Sequence, residues 1–223
     1  MPMKYHSTWF RIATSQAAVI LCWFSTVTIF AEATTPRTPG LTEALAARDT
    51  RPDAWLLDQP AAASLRGDLL SDIAFARAAP ILKSGKAATS SEMREAQQLA
   101  LTLARRSVLL APHSSRTWLL IAILQGRESI GDRGAGALKM SYLTSPAAAD
   151  VAAARLSTFA VSAAIADPEL KDLARGDIRL ILTRRPDMKD AIVRAYRRGS
   201  ADGKTYIQEV VRPLDPEFAA SLQ

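Results

Sequence analysis

Apolar residues follow two regimes along this chain. From Ile12 to Ala31 they run without one charged residue, and from Ala61 onward they recur three and four positions apart. The second spacing places them on one face of a helix. Leu65, Leu69, Ile73 and Ala76 predict a first helix that reaches Ala79, ahead of the helix-disturbing Pro80. Thr89-Ser90-Ser91-Glu92 fits a capping box, in which hydroxyl and carboxylate satisfy free amides reciprocally. The helix it opens carries Met93, Ala96, Ala100, Leu103 and Leu110 on a shared face and stops at Ala111-Pro112. A further helix starts after Ser114 or Ser115 with Trp118, Ile121, Ala122 and Leu124. The glycine-rich stretch 131–136 then turns the chain into a short helix through Met140 to Leu143.

Later boundaries repeat one device, a residue followed by proline: Ser145-Pro146, Asp167-Pro168, Arg185-Pro186 and Asp215-Pro216. Proline suits the first helical position because its missing amide hydrogen has no partner there, and Ser or Asp suits the cap before it. After Pro168, Leu170, Leu173, Ala174, Ile178 and Ile181 share a face. No alternating strand pattern of useful length occurs, so the expected fold class is all-α.

Pro112 and Pro146 lie 34 residues apart, with two expected helices and a glycine turn between them. Trp118, Ile121, Ala122 and Gln125 follow Pro112 at offsets that resemble the tetratricopeptide repeat, and Ala100 and Ala104 match the small positions of a preceding unit. Ala122 stands for the usual Gly, Gln125 for the Tyr and Gly134 for an Ala, and the next proline interval, to Pro186, is 40 residues. The resemblance covers residues 88–186. It implies stacked antiparallel helical hairpins, as a short α-solenoid or a helical bundle, with Trp118, Ala100, Ala104, Pro112 and Pro146 forming the repeat core. A second resemblance, over residues 100–200, is to small exported helical proteins that accompany bacterial exopolysaccharide systems. The stretches Arg105-Arg106-Ser107-Val108-Leu109-Leu110-Ala111-Pro112, Ala137 to Thr144 and Asp177 to Pro186 carry it. It implies an accessory role in polymer assembly and gives no residue a task.

The first apolar regime reads as a targeting segment. Lys4 and Arg11 precede it, and Ala31-Glu32-Ala33 closes it with small residues. That order matches a secretory signal peptide, and the run is also about long enough to span a bilayer. Either way the basic flank stays cytoplasmic and the rest is exported. The expected location is the bacterial periplasm, soluble after cleavage or anchored in the inner membrane through residues 12–31. Leu21 before Cys22 argues against lipid attachment. The expected partition is residues 1–33 as signal or anchor, 34–61 as a proline-bearing linker with a short helix around Thr42 to Arg48, and 62–223 as the helical domain.

Composition narrows the chemistry. The one cysteine lies in the apolar segment, which excludes a disulfide framework and a Cys-based metal site in the remainder. Of the two histidines, His113 alone follows that segment, with no Gly-x-Ser-x-Gly elbow beside it. The glycine-rich stretch 131–136 lacks the strand before it and the Gly-Lys-Ser/Thr after it that a phosphate cradle needs. Glu128 and Asp132 are neighbours on one helical edge and not a pair across a cleft. No catalytic residue, cofactor site or metal site is expected. The net charge of +6 sits in the C-terminal part: residues 83–223 hold 21 basic and 15 acidic residues. Its doublets Arg105-Arg106, Arg184-Arg185 and Arg197-Arg198 fall near expected helix ends, where cations oppose the negative end of the macrodipole. They are also the candidate contacts to an anion or partner. With few aromatics near them, and with export, nucleic acid is not an expected partner. The sequence therefore points to a non-catalytic exported scaffold that contacts proteins, with an acidic polysaccharide bound by the basic C-terminal half as the alternative.

Overall fold

Ala, Leu and Arg dominate the chain after residue 66, and these residues lose least on entering a helix. The computed structural model describes residues 10, 12–23, 25–26, 66–84, 90–128 and 134–222, and among them it contains helices and no strand. The chain divides into two compact units, Met1–Thr38 and Pro39–Gln223. In the first, residues 12–23 are helical, and the side chains of Ile12, Val19, Ile20, Leu21 and Trp23 are exposed. Among the described residues no helix is long and apolar enough to cross a membrane. The expected linker, with its helix around Thr42 to Arg48, lies outside the described residues, as do Leu65 and residues 131–133 of the expected glycine turn, whose last two residues already belong to a helix.

The second unit contains α1 (Gly67–Ser84), α2 (Ser91–Leu110), α3 (Ser115–Glu128), α4 (Ala135–Thr144) and α5 (Ala149–Val161). After a 3-10 turn at Ala163–Ala166 come α6 (Pro168–Arg184), a second 3-10 turn, α7 (Lys189–Arg198), α8 (Ala201–Val211) and α9 (Pro216–Ser221). Two of the four proline devices act as expected. Asp167 caps α6 by accepting from the amides of Glu169 at 2.8 Å and Leu170 at 3.4 Å, and Asp215 caps α9 by accepting from Phe218 at 3.0 Å. Pro186 opens the second 3-10 turn, and Pro146 lies in a turn, so α5 begins only at Ala149. The expected capping box does not form: Ser90 caps α2, accepting from Met93 at 3.2 Å, and Met93 stands where the box needs a Glu or Gln.

Pro80 does not end α1. It sits exposed inside the helix, which continues to Ser84. An interior proline costs about 3 kcal/mol, and burying the next residue, the fully enclosed Ile81, recovers a similar amount. The buried faces of α1 and α2 match the expected ones in part, since Ile73 and Ala100 are buried and Leu69, Met93, Ala96 and Leu103 pack partly buried against the core. On α1 they run through Leu70, Ala74, Ala78 and Ile81. On α2 they run through Gln97, Ala100, Leu101, Ala104, Ser107 and Val108, while Leu110 is exposed. Small and polar residues occupy the closest approach because they let backbones draw near and because each polar atom finds a partner. Gln97 donates to the Leu124 carbonyl at 3.0 Å, Ser107 donates to the Gly67 carbonyl at 2.6 Å, and the Ser71 and Thr117 hydroxyls meet at 2.8 Å.

Packing follows chain order at first, α1 on α2, α2 on α3 and α3 on α4. The helices α3 and α4 are the pair expected between Pro112 and Pro146. The centre of the unit is α5, which packs against α3, α4, α6, α7 and α8. Its sequence explains the position: Ala152, Ala153, Ala154 and Ala160 leave room for neighbours on every side, and Leu156 and Phe159 fill what remains. A helix without a polar face belongs in the interior.

Candidate functional site

The helix α6 has two different faces. Leu170, Ala174, Asp177, Ile178 and Ile181 point inward and are fully buried. Lys171, Arg175 and Arg179 recur every four residues on the other side and line a groove of about 330 Å³. The opposite wall is α8, which contributes Tyr206, Glu209 and Val210, and Pro213 and Leu214 close one end. Arg175 pairs with Asp172 at 2.8 Å on the exposed surface. Neither Lys171 nor Arg179 has an ion-pair partner among the described residues. The groove thus has a cationic wall and a largely apolar one.

Two buried contacts fix these walls. The Tyr206 hydroxyl donates to the Lys171 carbonyl, joining α8 to α6, and its ring meets Phe159 edge-on at 5.3 Å and 71°. Burial pushes the Tyr206 hydroxyl up to about 12, so it stays a neutral donor. Beneath α6, Arg155 of α5 and Asp177 form an ion pair at 3.0 Å in which neither side chain reaches solvent. Arg155 also donates to the carbonyls of Ser141 at 3.1 Å, Ser145 at 3.0 Å and Ala148 at 3.4 Å. It therefore adds a further donor along the end of α4 and the turn into α5, where Ser141 also accepts from the Ser115 hydroxyl at 2.8 Å, Ser145 from the Ala148 amide at 3.3 Å and Ala148 from the Ala152 amide at 3.1 Å. Its guanidinium lies 4.5 Å from the Tyr142 ring centroid. Desolvation pushes the Asp177 carboxyl up to about 7 even though Arg155 pulls it down, and burial pushes the Tyr142 hydroxyl well above its ordinary value. The Tyr142 hydroxyl lies beside the Asp177 carboxyl and also pulls it down, while Arg155 Nε has no hydrogen-bond partner among the described residues.

The residues singled out from the sequence lie elsewhere. Arg105 and Arg106 are exposed on α2, Arg184 and Arg185 at the end of α6, and Arg197 and Arg198 at the end of α7. Arg185 is held by Asp187, with contacts of 2.8 and 3.0 Å. None of the six lines the groove. Ala100 and Ala104 are fully buried, whereas Pro112 and Pro146 are exposed in turns. Trp118 is half-buried against the core, and its indole N–H donates to the Pro112 carbonyl at 2.7 Å, tying the turn to α3. His113 is exposed in that turn, and no cluster that could hold a metal ion occurs among the described residues. The groove cations did leave a sequence signal, a basic residue at every fourth position from Lys171 to Arg179. The buried pair left none, because an Arg and an Asp 22 positions apart look like any two surface charges.

No family model, no curated protein and no solved structure matches this chain.

Proposed function

We propose that the chain is an exported, non-catalytic scaffold of tetratricopeptide-like helical hairpins that docks a protein partner in the bacterial periplasm. The observation that carries this reading is the open groove between α6 and α8, with charged and apolar walls each anchored from behind. Such a groove suits an extended segment or a helix of another protein. The charge-free run behind Lys4 and Arg11 supports delivery across the membrane, as a cleaved signal or a retained anchor. The likeness of residues 100–200 to accessory proteins of exopolysaccharide systems makes polymer assembly or export the proposed setting. The row Lys171, Arg175, Arg179 also favours a second reading, in which the groove holds an acidic polysaccharide directly.

A photo-crosslinking residue at Leu214, with an affinity tag after Gln223, tests both in intact cells. Crosslinks to polymer synthesis or export proteins are expected. Crosslinks to glycan alone move the chain to the second reading, and turnover of a glycan by the purified protein removes the non-catalytic reading.

A further inference from the structure

Building on the scaffold reading, we infer that the α6–α8 groove recognises an extended peptide segment whose acidic residues alternate with apolar ones. The argument is one of register. A helix rises about 1.5 Å per residue, so Lys171, Arg175 and Arg179 present cations about 6 Å apart along α6. In an extended chain, side chains on one edge recur every second residue, about 6.6 Å apart. Three acids at alternate positions therefore meet three cations, the middle one shared with Asp172, with a mismatch under about 1 Å per step. A contiguous acidic run sends every second carboxylate to the wrong wall.

The far wall sets what lies between the acids. Pro213 and Leu214 offer exposed apolar surface beside the buried Val210, and the exposed Glu209 of α8 repels a carboxylate that turns that way. An acidic–apolar–acidic–apolar–acidic segment satisfies both walls at once. A polyuronate satisfies only one. Its sugar rings call for an open aromatic face, and the aromatic here is not open: the Tyr206 ring is buried edge-on against Phe159 and its hydroxyl is bonded to the Lys171 carbonyl.

The test uses the purified full 223-residue chain. Its probes are a fluorescent peptide containing Glu-Leu-Glu-Val-Glu, an isomer containing Glu-Glu-Glu-Leu-Val, and an oligogalacturonate of similar charge. The alternating peptide is expected to bind about tenfold more tightly than its isomer, the difference that two well-placed ion pairs make. Arg175→Glu with Arg179→Glu is expected to abolish that preference. Arg197→Glu with Arg198→Glu, outside the groove, is expected to leave it intact, and unchanged circular dichroism confirms that each variant is folded. Equal binding of the two isomers, tighter binding of the oligogalacturonate, no binding of any probe, or an equal loss in both double variants overturns the inference. The two proposals fail separately. Crosslinks from Leu214 to a protein segment without alternating acids leave the scaffold standing and sink the acidic segment, whereas crosslinks to glycan alone sink both.

Discussion

Arg155 spends its charge entirely inside the protein. Removing it leaves the Asp177 carboxyl buried without its cation, and breaking one side of such a pair typically costs about 3–5 kcal/mol. Arg155→Ala is expected to lower the free energy of urea unfolding by that amount, and a loss under about 1 kcal/mol would mean that water reaches the site. The same pair gives stability a pH dependence. The folded-state value of Asp177, about 7, lies above its ordinary 3.8, so the native state holds the proton more tightly than the unfolded chain does. This contribution is complete below the ordinary value and is lost as pH rises through about 7. The unfolding midpoint should be higher at pH 5 than at pH 8, and Asp177→Asn should flatten that difference. Asp68, Asp187 and Asp215, held low by Arg66, Arg185 and Lys189, act in the opposite sense, and only below the ordinary carboxylate range. None of this was legible in the sequence, because apolar periodicity treats Asp177 as a gap in the inner face of α6.

At the scale of the element, glycine separates two kinds of helix surface. Gly203 opens α8 where it crosses the end of α5, and a Cβ there would fall 2.1 Å from the Ala160 carbonyl oxygen. The crossing is further tied by the Ser200 amide donating to that same oxygen at 2.9 Å. Gly203→Ala is expected to cost about 1–3 kcal/mol, as overpacking does. Gly176, on the outer side of α6, meets nothing within 4 Å, and Gly176→Ala should stabilise by about 0.5–1 kcal/mol through helix propensity alone. Thermal unfolding of the two variants should therefore shift in opposite directions. The same distinction explains how far the sequence could be read. The inner face of α6 matches its apolar spacing because Leu and Ile make the contact. The faces of α1 and α2 match only in part: Ile73 and Ala100 are buried as expected, but on α2 Ala, Ser and Gln make many of the other close contacts, and hydropathy ranks these below the exposed Leu110.

For the whole molecule, composition and period were enough to read the all-helical class and the helix pair between Pro112 and Pro146. Long-range pairings were not readable from either. Nothing in the order of helices announces that α5 rather than Trp118 forms the centre, since this short Ala-rich segment is no more apolar than α4 before it. The groove likewise depends on α6 and α8 meeting across two intervening elements, which only the tertiary fold decides.

The enclosure of α5 also has a kinetic side. Five helices cover it, so no partial fraying exposes its backbone, and its amides can exchange with solvent deuterium only when the unit as a whole opens. By contrast α9 is short and touches only α8 and, through Phe218 and its cap Asp215, Lys189 of α7 among its close contacts, so it can peel away cheaply. Exchange followed by mass spectrometry should find Val151 to Ala160 slowest and at a common rate, with Pro216 to Ser221 among the first to label. The slow block would then serve as an internal clock for global opening, against which a bound partner's protection of the groove walls can be told apart from a general tightening of the fold.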